Sequence, residues 1–457
     1  MAEELEGQVV RKVAVRLMPL LCICYVAAFI DRVNVGFAKL QMMPALGITQ
    51  GEYAFGAGIF FVGYFFFEVP SNLLLVRFGA RRWIARIMLF WGIVSCCMAL
   101  VQGPRSFHAL RFLLGAAEAG FFPGVIFYFT AWFPRVYRAR AVSAFMMAAV
   151  FSFVIGSPLS GFLLDHPQLG LAGWQWLFIV EGIPSVLLGF VVLARLPDGP
   201  SDARWLTDAE RTWLLERLAR ERAEQDQKHS LPLGKALRDP RILFFSLLYF
   251  LNVVGGYGLD FFAPTLLKSA FPDSSSFTIG ALAMIPPLVA LPVMVLYGRR
   301  ADATRDYAGH VAGAALLAAV GLTALSLPLP PPLVVVGMTL CVTARWSLIG
   351  PFWSLPTAIL SGAAAAGGIA WINSLGNLGG QLGPVLLDAF ATPGGSFSTG
   401  LRVLAALLLC CAACALFIRA RRWTHMEGEG GTPRSSGATS EPERPGAADA
   451  PEPSALR

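Results

Sequence analysis

Apolar stretches of helical length recur along the chain at 13–35, 53–75, 83–102, 107–131, 141–164, 173–195, 241–263, 277–297, 309–327, 332–357, 363–389 and 398–419. Each approaches the roughly 20 residues that a helix needs to cross a bilayer. The pattern predicts an all-α integral membrane protein with twelve transmembrane helices. One polar connection is long, 196–240, and it splits six helices from six. Its middle, "TDAERTWLLERLARERAEQ", predicts a short solvated linker helix with a cap at Thr207 or Asp208 and Glu/Arg pairs along its face. The expected organisation is a first six-helix bundle over 1–195, a cytoplasmic linker over 196–240, a second six-helix bundle over 241–422 and a tail over 423–457. The tail is rich in Gly, Pro, Ser and Glu, a composition that builds no core, so disorder is expected there.

Composition agrees with the pattern. Hydrophobic residues make up 56% and charged residues 14% of the 457, against about 25% charged in a soluble domain. The acidic start, with no small-residue cleavage site after the first apolar run, predicts an uncleaved first helix. The net charge of +7 would suit a nucleic-acid partner, but its placement suits topology. Arg77, Arg81, Arg82 and Arg86 follow helix 2, Arg135, Arg138 and Arg140 follow helix 4, Arg299, Arg300 and Arg305 follow helix 8, and Arg419, Arg421 and Arg422 follow helix 12. The alternate loops hold only Lys39, Arg105 and Lys268; the loop near 361 holds no base. The positive-inside bias then puts the even-numbered loops and both termini in the cytoplasm. Only five of the 36 basic residues are Lys, which points to a bacterial inner membrane. The cysteines lie inside apolar runs and the histidines are scattered, so no metal is expected.

Charges within the apolar runs are the chemical signal. An acid or base at a helix centre costs about 2.5–3.5 kcal/mol on insertion scales, and such residues tend to mark an ion or substrate path. Helix 1 carries Asp31, Arg32 and Asn34. Helix 4 carries Arg111 and Glu118, seven apart and on one face. Tyr64 and Glu68 share a face of helix 2, and Asn373, Asn377 and Gln381 form a stripe on helix 11 with Trp353 just before it. These stripes would face a common cavity. Fixed ion pairs, Asp31 with Arg32 or Arg32 with Glu118, are the structural alternative; Glu181 fits a packing contact. A buried carboxylic acid can carry a proton and a buried Arg presents a fork that matches a carboxylate, so acids beside arginines suggest proton-coupled carriage of an organic anion.

Six helices, a linker and six helices resemble the layout of the major facilitator superfamily, in which two pseudo-symmetric bundles enclose a substrate site near the midplane. The superfamily's loop motif is matched after helix 8 by "GRRADATR" at Gly298, Asp302 and Arg305. After helix 2, "NLLLVRFGARR" keeps Arg77, Gly79, Arg81 and Arg82 but has Val76 where Asp is expected.

A narrower resemblance rests on "YVAAFIDRVNVGFAKLQM", "GAGIFFVGYFFFEVPSNLLL", "RFLLGAAEAGFFPG", "LAGWQWLFIVEGIPSV", "LPDGPSDARWLTDAER" and "PFWSLPTAILSGAAAAGGIAWINSLGNLGG". From about residue 10 to 420 the chain resembles the anion:cation symporter family, most of all its tartrate and aromatic-acid carriers. The resemblance implies proton coupling at Asp31 and Glu118 and carboxylate binding at Arg32 and Arg111, with Tyr64, Trp353 and Asn373 in the site. Asn34, Asn377, Gln381 and Arg345 complete the candidate substrate contacts. Asp260 and Arg345 are departures from the family; they would pair with each other, or Arg345 would meet a second substrate carboxylate. Gln381 replaces a usual Phe. The expected function is proton-coupled import of a small organic anion (tartrate, a sugar acid or an aromatic acid) by a monomer in the lipid bilayer, with the proton as coupling ion and no other cofactor. An exporter of the same fold is the alternative, weakened by the incomplete helix 5 signature "GSPLSG" at 156–161. No nucleophile–base pair or output domain supports an enzyme or a sensor.

Overall fold

The computed structural model describes residues 2–227, 239–359, 362–392 and 396–421, and all regular structure among them is helical. The predicted tail, the connection near 361 and part of the linker lie outside the described residues. The first span is broken at Asn34 into α1 (Ala2–Val33) and α2 (Val35–Leu46). The next spans are α3 (Gln50–Phe78) and α4 (Ala80–Cys97). The fourth is broken at Ala119 and Gly120 into α5 (Pro104–Glu118) and α6 (Phe121–Thr130). It is followed by α7 (Arg135–Asp165), α8 (Gly173–Arg195) and the linker helix α9 (Asp208–Gln227). The second set opens with α10 (Pro240–Asp260) and α11 (Ala263–Ala270), separated at Phe261 and Phe262. It continues with α12 (Ser276–Thr304), α13 (Tyr307–Leu325) and α14 (Pro331–Ile359). The chain then runs through α15 (Gly362–Asn377), α16 (Gly379–Ala389) and α17 (Ser398–Ala420). Eleven segments among the described residues are long and apolar enough to cross a membrane. The predicted span 363–389 is two helices, α15 and α16, meeting at Leu378.

Small residues set the closest approaches. A Cβ on Gly115 of α5 would strike the Phe60 carbonyl of α3, and one on Gly63 would strike the Phe112 carbonyl in return. Backbone-to-backbone contact of this kind is how membrane helices pack without a hydrophobic driving force. It fixes α5, the helix bearing Arg111 and Glu118, against α3, which bears Tyr64 and Glu68. Gly120 is in the left-handed region (φ +89°) and its vacant Cβ position is filled by Ser71, so the break after Glu118 requires glycine there.

The linker helix is docked, which corrects the expectation of a solvated one. Leu206, Leu214 and Leu218 are buried, and Trp205 stacks on Trp132 with ring centroids 5.6 Å apart. Thr207 and Glu210 form a reciprocal cap, with the Glu210 N–H donating to Thr207 Oγ1 at 3.3 Å. Lys12 of α1 donates to Glu210 at 2.7 Å, and the Arg135 N–H donates to Glu221 at 2.9 Å. The apolar residues of the segment, spaced on one stripe, find their cover on the first six spans. The reciprocal cap and the Lys12 hydrogen bond hold the Glu210 carboxyl below the usual range, against the opposing push of burial.

The first and last six spans meet on the face away from the arginine-rich loops. Asp165, ending α7, accepts from the N–H groups of Ser276 and Phe277 at 3.1 and 2.7 Å and so caps α12. Gly161 and Gly280 let the same two helices touch through the Ser276 and Ser157 carbonyls. The Tyr53 hydroxyl donates to the Phe261 carbonyl at 3.1 Å. Lys39, which the loop pattern places in a connection, lies in α2 and is buried, its ammonium 3.8 Å from the Phe262 ring centre and 4.7 Å from that of Tyr53.

Gly115→Leu should force α5 off α3. Overpacking of this kind costs about 1–3 kcal/mol, so the thermal midpoint of the purified protein in detergent should fall by several degrees. An unchanged midpoint would contradict the backbone contact.

Candidate substrate and coupling site

A cavity between the two sets of spans is lined by Arg32, Tyr64, Trp353, Asn373, Asn377 and Arg345 among the predicted residues. Arg32 is the last-turn residue of α1, where the Asn34 break ends the helix, and it is buried. One Nη donates to Glu118 of α5 in a close ion pair; the other donates to the Tyr257 hydroxyl of α10 at 3.0 Å. Its guanidinium lies over the rings of Phe29, Phe60 and Tyr64 at 4.8, 5.2 and 5.6 Å from their centres. Aromatic faces at that distance stabilise a desolvated cation. Of the two ion pairs weighed from sequence, Arg32 with Glu118 is the one formed.

Asp31 makes no pair with Arg32. It points into the first six spans and accepts three hydrogen bonds, from Trp91 Nε1 at 2.6 Å, Ser95 Oγ at 2.7 Å and Ser185 Oγ at 2.8 Å. Adjacent residues on a helix diverge by about 100°, and here Arg32 lines the cavity while Asp31 does not. Asn34 is buried close to Glu181, which also takes the Ser160 hydroxyl at 2.7 Å. Both lie outside the cavity lining.

Two further expectations need correction. Arg111 is fully buried and does not line the cavity; it donates to the Ala57 carbonyl at 3.0 Å and lies over Phe60. It shares a face with Glu118 but sits two turns, about 10 Å, nearer the face away from the arginine-rich loops. Gln381 leaves the line of Asn373 and Asn377 because the helix breaks at Leu378, and it packs against Gly58 of α3 instead.

Asn373 donates to Glu68 at 3.0 Å, and Ser374 donates to the other Glu68 oxygen. Glu68 therefore ties α3 of the first six spans to α15 of the last six, a link that Glu68 on the helix 2 stripe made findable but not assignable. Trp353 packs on Tyr249 at 5.2 Å. Arg345 donates to Asp260 at 2.7 Å, and both line the cavity. Sequence reasoning missed Tyr257 and Asn252, which line the cavity from α10; a tyrosine or an asparagine alone in an apolar run carries too weak a signal.

The loop motifs are structured. Beside this loop Asp198 accepts from the Arg81 N–H at 2.9 Å and fills the space next to Gly79, itself at φ +85°. Arg77 lies 5.7 Å from the Phe78 ring centre. In the second loop Gly298 faces open space, Asp302 accepts from the Tyr307 hydroxyl at 3.2 Å, and Arg305 ends α12 in the left-handed region. The bond between this loop and α17 is made by Asp306 with Arg419, at 2.7 Å.

A cavity between two sets of membrane-spanning helices, walled by buried charge pairs, fits a multi-pass membrane transporter of small molecules. Residues 21–384 match the family model described as Major Facilitator Superfamily, and the chain belongs to that family. It is 47% identical over 420 residues to a protein of Agrobacterium vitis named "Putative tartrate transporter", with 92% of this chain and 96% of that one covered. It is 41% identical over 411 residues to the "Quinolone resistance transporter" of Acinetobacter baumannii, covering 89% and 94%. Its fold is similar to the inward open structure of the xylose transporter XylE from E. coli, with a TM-score of 0.70 and 15% identity, covering 88% and 95%.

The double substitution Asn373→Ala with Ser374→Ala strips Glu68 of both donors. A buried acceptor left unpaired costs about 1–3 kcal/mol, so thermal stability should fall; Glu68→Gln in the same background should recover part of the loss. Equal stability of all three would show that the α3–α15 link is not made.

Proposed function

We propose that the chain imports a small organic anion (tartrate, a sugar acid or an aromatic acid) together with protons, by alternating access, in a bacterial inner membrane with both termini cytoplasmic. The observation that carries this reading is the Arg32–Glu118 pair at the cavity wall. Arg32 offers a planar fork suited to a carboxylate. Glu118 occupies it when no substrate does. A substrate carboxylate that takes Arg32 leaves Glu118 buried without its cation, and an uncompensated buried charge costs several kcal/mol. Taking up a proton removes that cost, so anion and proton enter together. Asp31, one residue away and held by three neutral donors, is the second proton site in this reading. Tyr64, Trp353, Asn373 and Asn377 shape the rest of the cavity, and the tartrate-named relative supports the substrate class. The quinolone-resistance relative favours a second reading, export of a metabolite or drug by the same fold.

In proteoliposomes tested with radiolabelled tartrate, galactonate and 4-hydroxyphenylacetate, Glu118→Gln and Asp31→Asn should keep substrate exchange. Both should lose proton-driven accumulation more than tenfold. Arg32→Gln should lose both activities. Undiminished accumulation in the two acid variants would remove them from coupling. Substrate movement against the inward proton gradient would establish the exporter.

A further inference from the structure

Resting on the import reading, we propose that Arg345 is a second carboxylate subsite, held by Asp260 while empty, and that the substrate is a short dicarboxylate. The two arginines are treated alike by the fold. Arg32, from the first six spans, is neutralised by Glu118; Arg345, from the last six, is neutralised by Asp260. Arg345 is 5% exposed, and that little surface opens on the same cavity as Arg32.

A guanidinium has five donors in a rigid fork, and Asp260 takes one, at 2.7 Å through Nη2. Nε is buried without a partner. Its other edge lies against Gly256 of α10, where a Cβ would collide with it. The pair is monodentate, so a substrate carboxylate that displaces Asp260 gains Nη2 together with the unpaired Nε.

Cavity size limits the length of the substrate. Arg32 and Arg345 line one small cavity of about 70 Å³. That suits a three- or four-carbon chain with an acid at each end and is too small for a long sugar diacid. Asn252, earlier on α10, lines the same cavity and is buried with Oδ1 unpartnered. An acceptor there suits a hydroxyl on the chain. A monocarboxylate would satisfy Arg32 and leave the Arg345 side unused.

Binding to the purified full-length protein would be measured by quenching of tryptophan fluorescence, since Trp346 and Trp353 line the cavity. The probes are L-tartrate, L-malate and succinate against glycerate and galactonate. Wild type should bind the diacids more tightly than glycerate. Arg345→Gln should shift the tartrate-to-glycerate affinity ratio at least tenfold toward glycerate, whereas Arg32→Gln weakens both acids. The double variant Asp260→Asn with Arg345→Gln, which leaves no buried charge unpaired, should show the same shift. Asp260→Asn alone, which removes the competing carboxylate, should bind diacids at least as tightly as wild type. Loss of the shift in the double variant would overturn the proposal. So would wild-type binding of monocarboxylates only, with dependence on Arg32, an outcome that keeps the import reading. No Arg32-dependent binding of any probe would overturn both.

Discussion

The Arg32–Glu118 pair is the constraint around which the rest is arranged. Two opposite charges are held where water is scarce, on helices from different parts of the first six spans. Neither is tolerable alone. Arg32 is made bearable by three aromatic faces and by Tyr257, which reaches it from the other side of the cavity. Glu118 stands where α5 must stop, because the next turn is broken at a left-handed Gly120. The close α3–α5 contact through Gly63 and Gly115 keeps the pair from being drawn apart. A ligand that competes for Arg32 therefore acts on helices from both sides of the cavity at once.

That coupling matters because the cavity is shut on one face. The α7–α12 crossing, the Asp165 cap on α12 and the Lys39 ammonium among Tyr53 and Phe262 all join the first six spans to the last six there. Opening that face would strip Lys39 of the Phe262 ring and Asp165 of its donors. Asp198 with Arg81 and Asp306 with Arg419 stand at the arginine-rich end, each within one set of spans. The first loop has its acid, Asp198, outside the expected motif; the second keeps Asp302 and has Asp306 besides.

The transmembrane pattern was legible because hydrocarbon thickness fixes span length and apolar content. The list of unusual charges was legible because each carries an insertion cost. Partners were harder to read. Asp31 and Arg32 are adjacent yet face opposite ways, and Arg111 and Glu118 share a face yet differ by two turns in depth. Gln381 follows the Asn373 and Asn377 spacing, but the break at Leu378 takes it elsewhere. Periodicity gives direction around a helix; it gives neither depth in the membrane nor the positions of breaks. Tyr257, Asn252 and the docked face of α9 depend on segments distant in sequence, and no local pattern encodes those contacts.

The central claim, that an anion and a proton enter together through the Arg32–Glu118 pair, is tested most directly by external pH. De-energised cells expressing the protein, in weak buffer, would receive tartrate, galactonate, glucarate, phthalate and 4-hydroxyphenylacetate in turn. The account predicts alkalinisation of the medium with at least one of them, absent in cells expressing Glu118→Gln. Uptake of a labelled member of the panel without any change in external pH would contradict it.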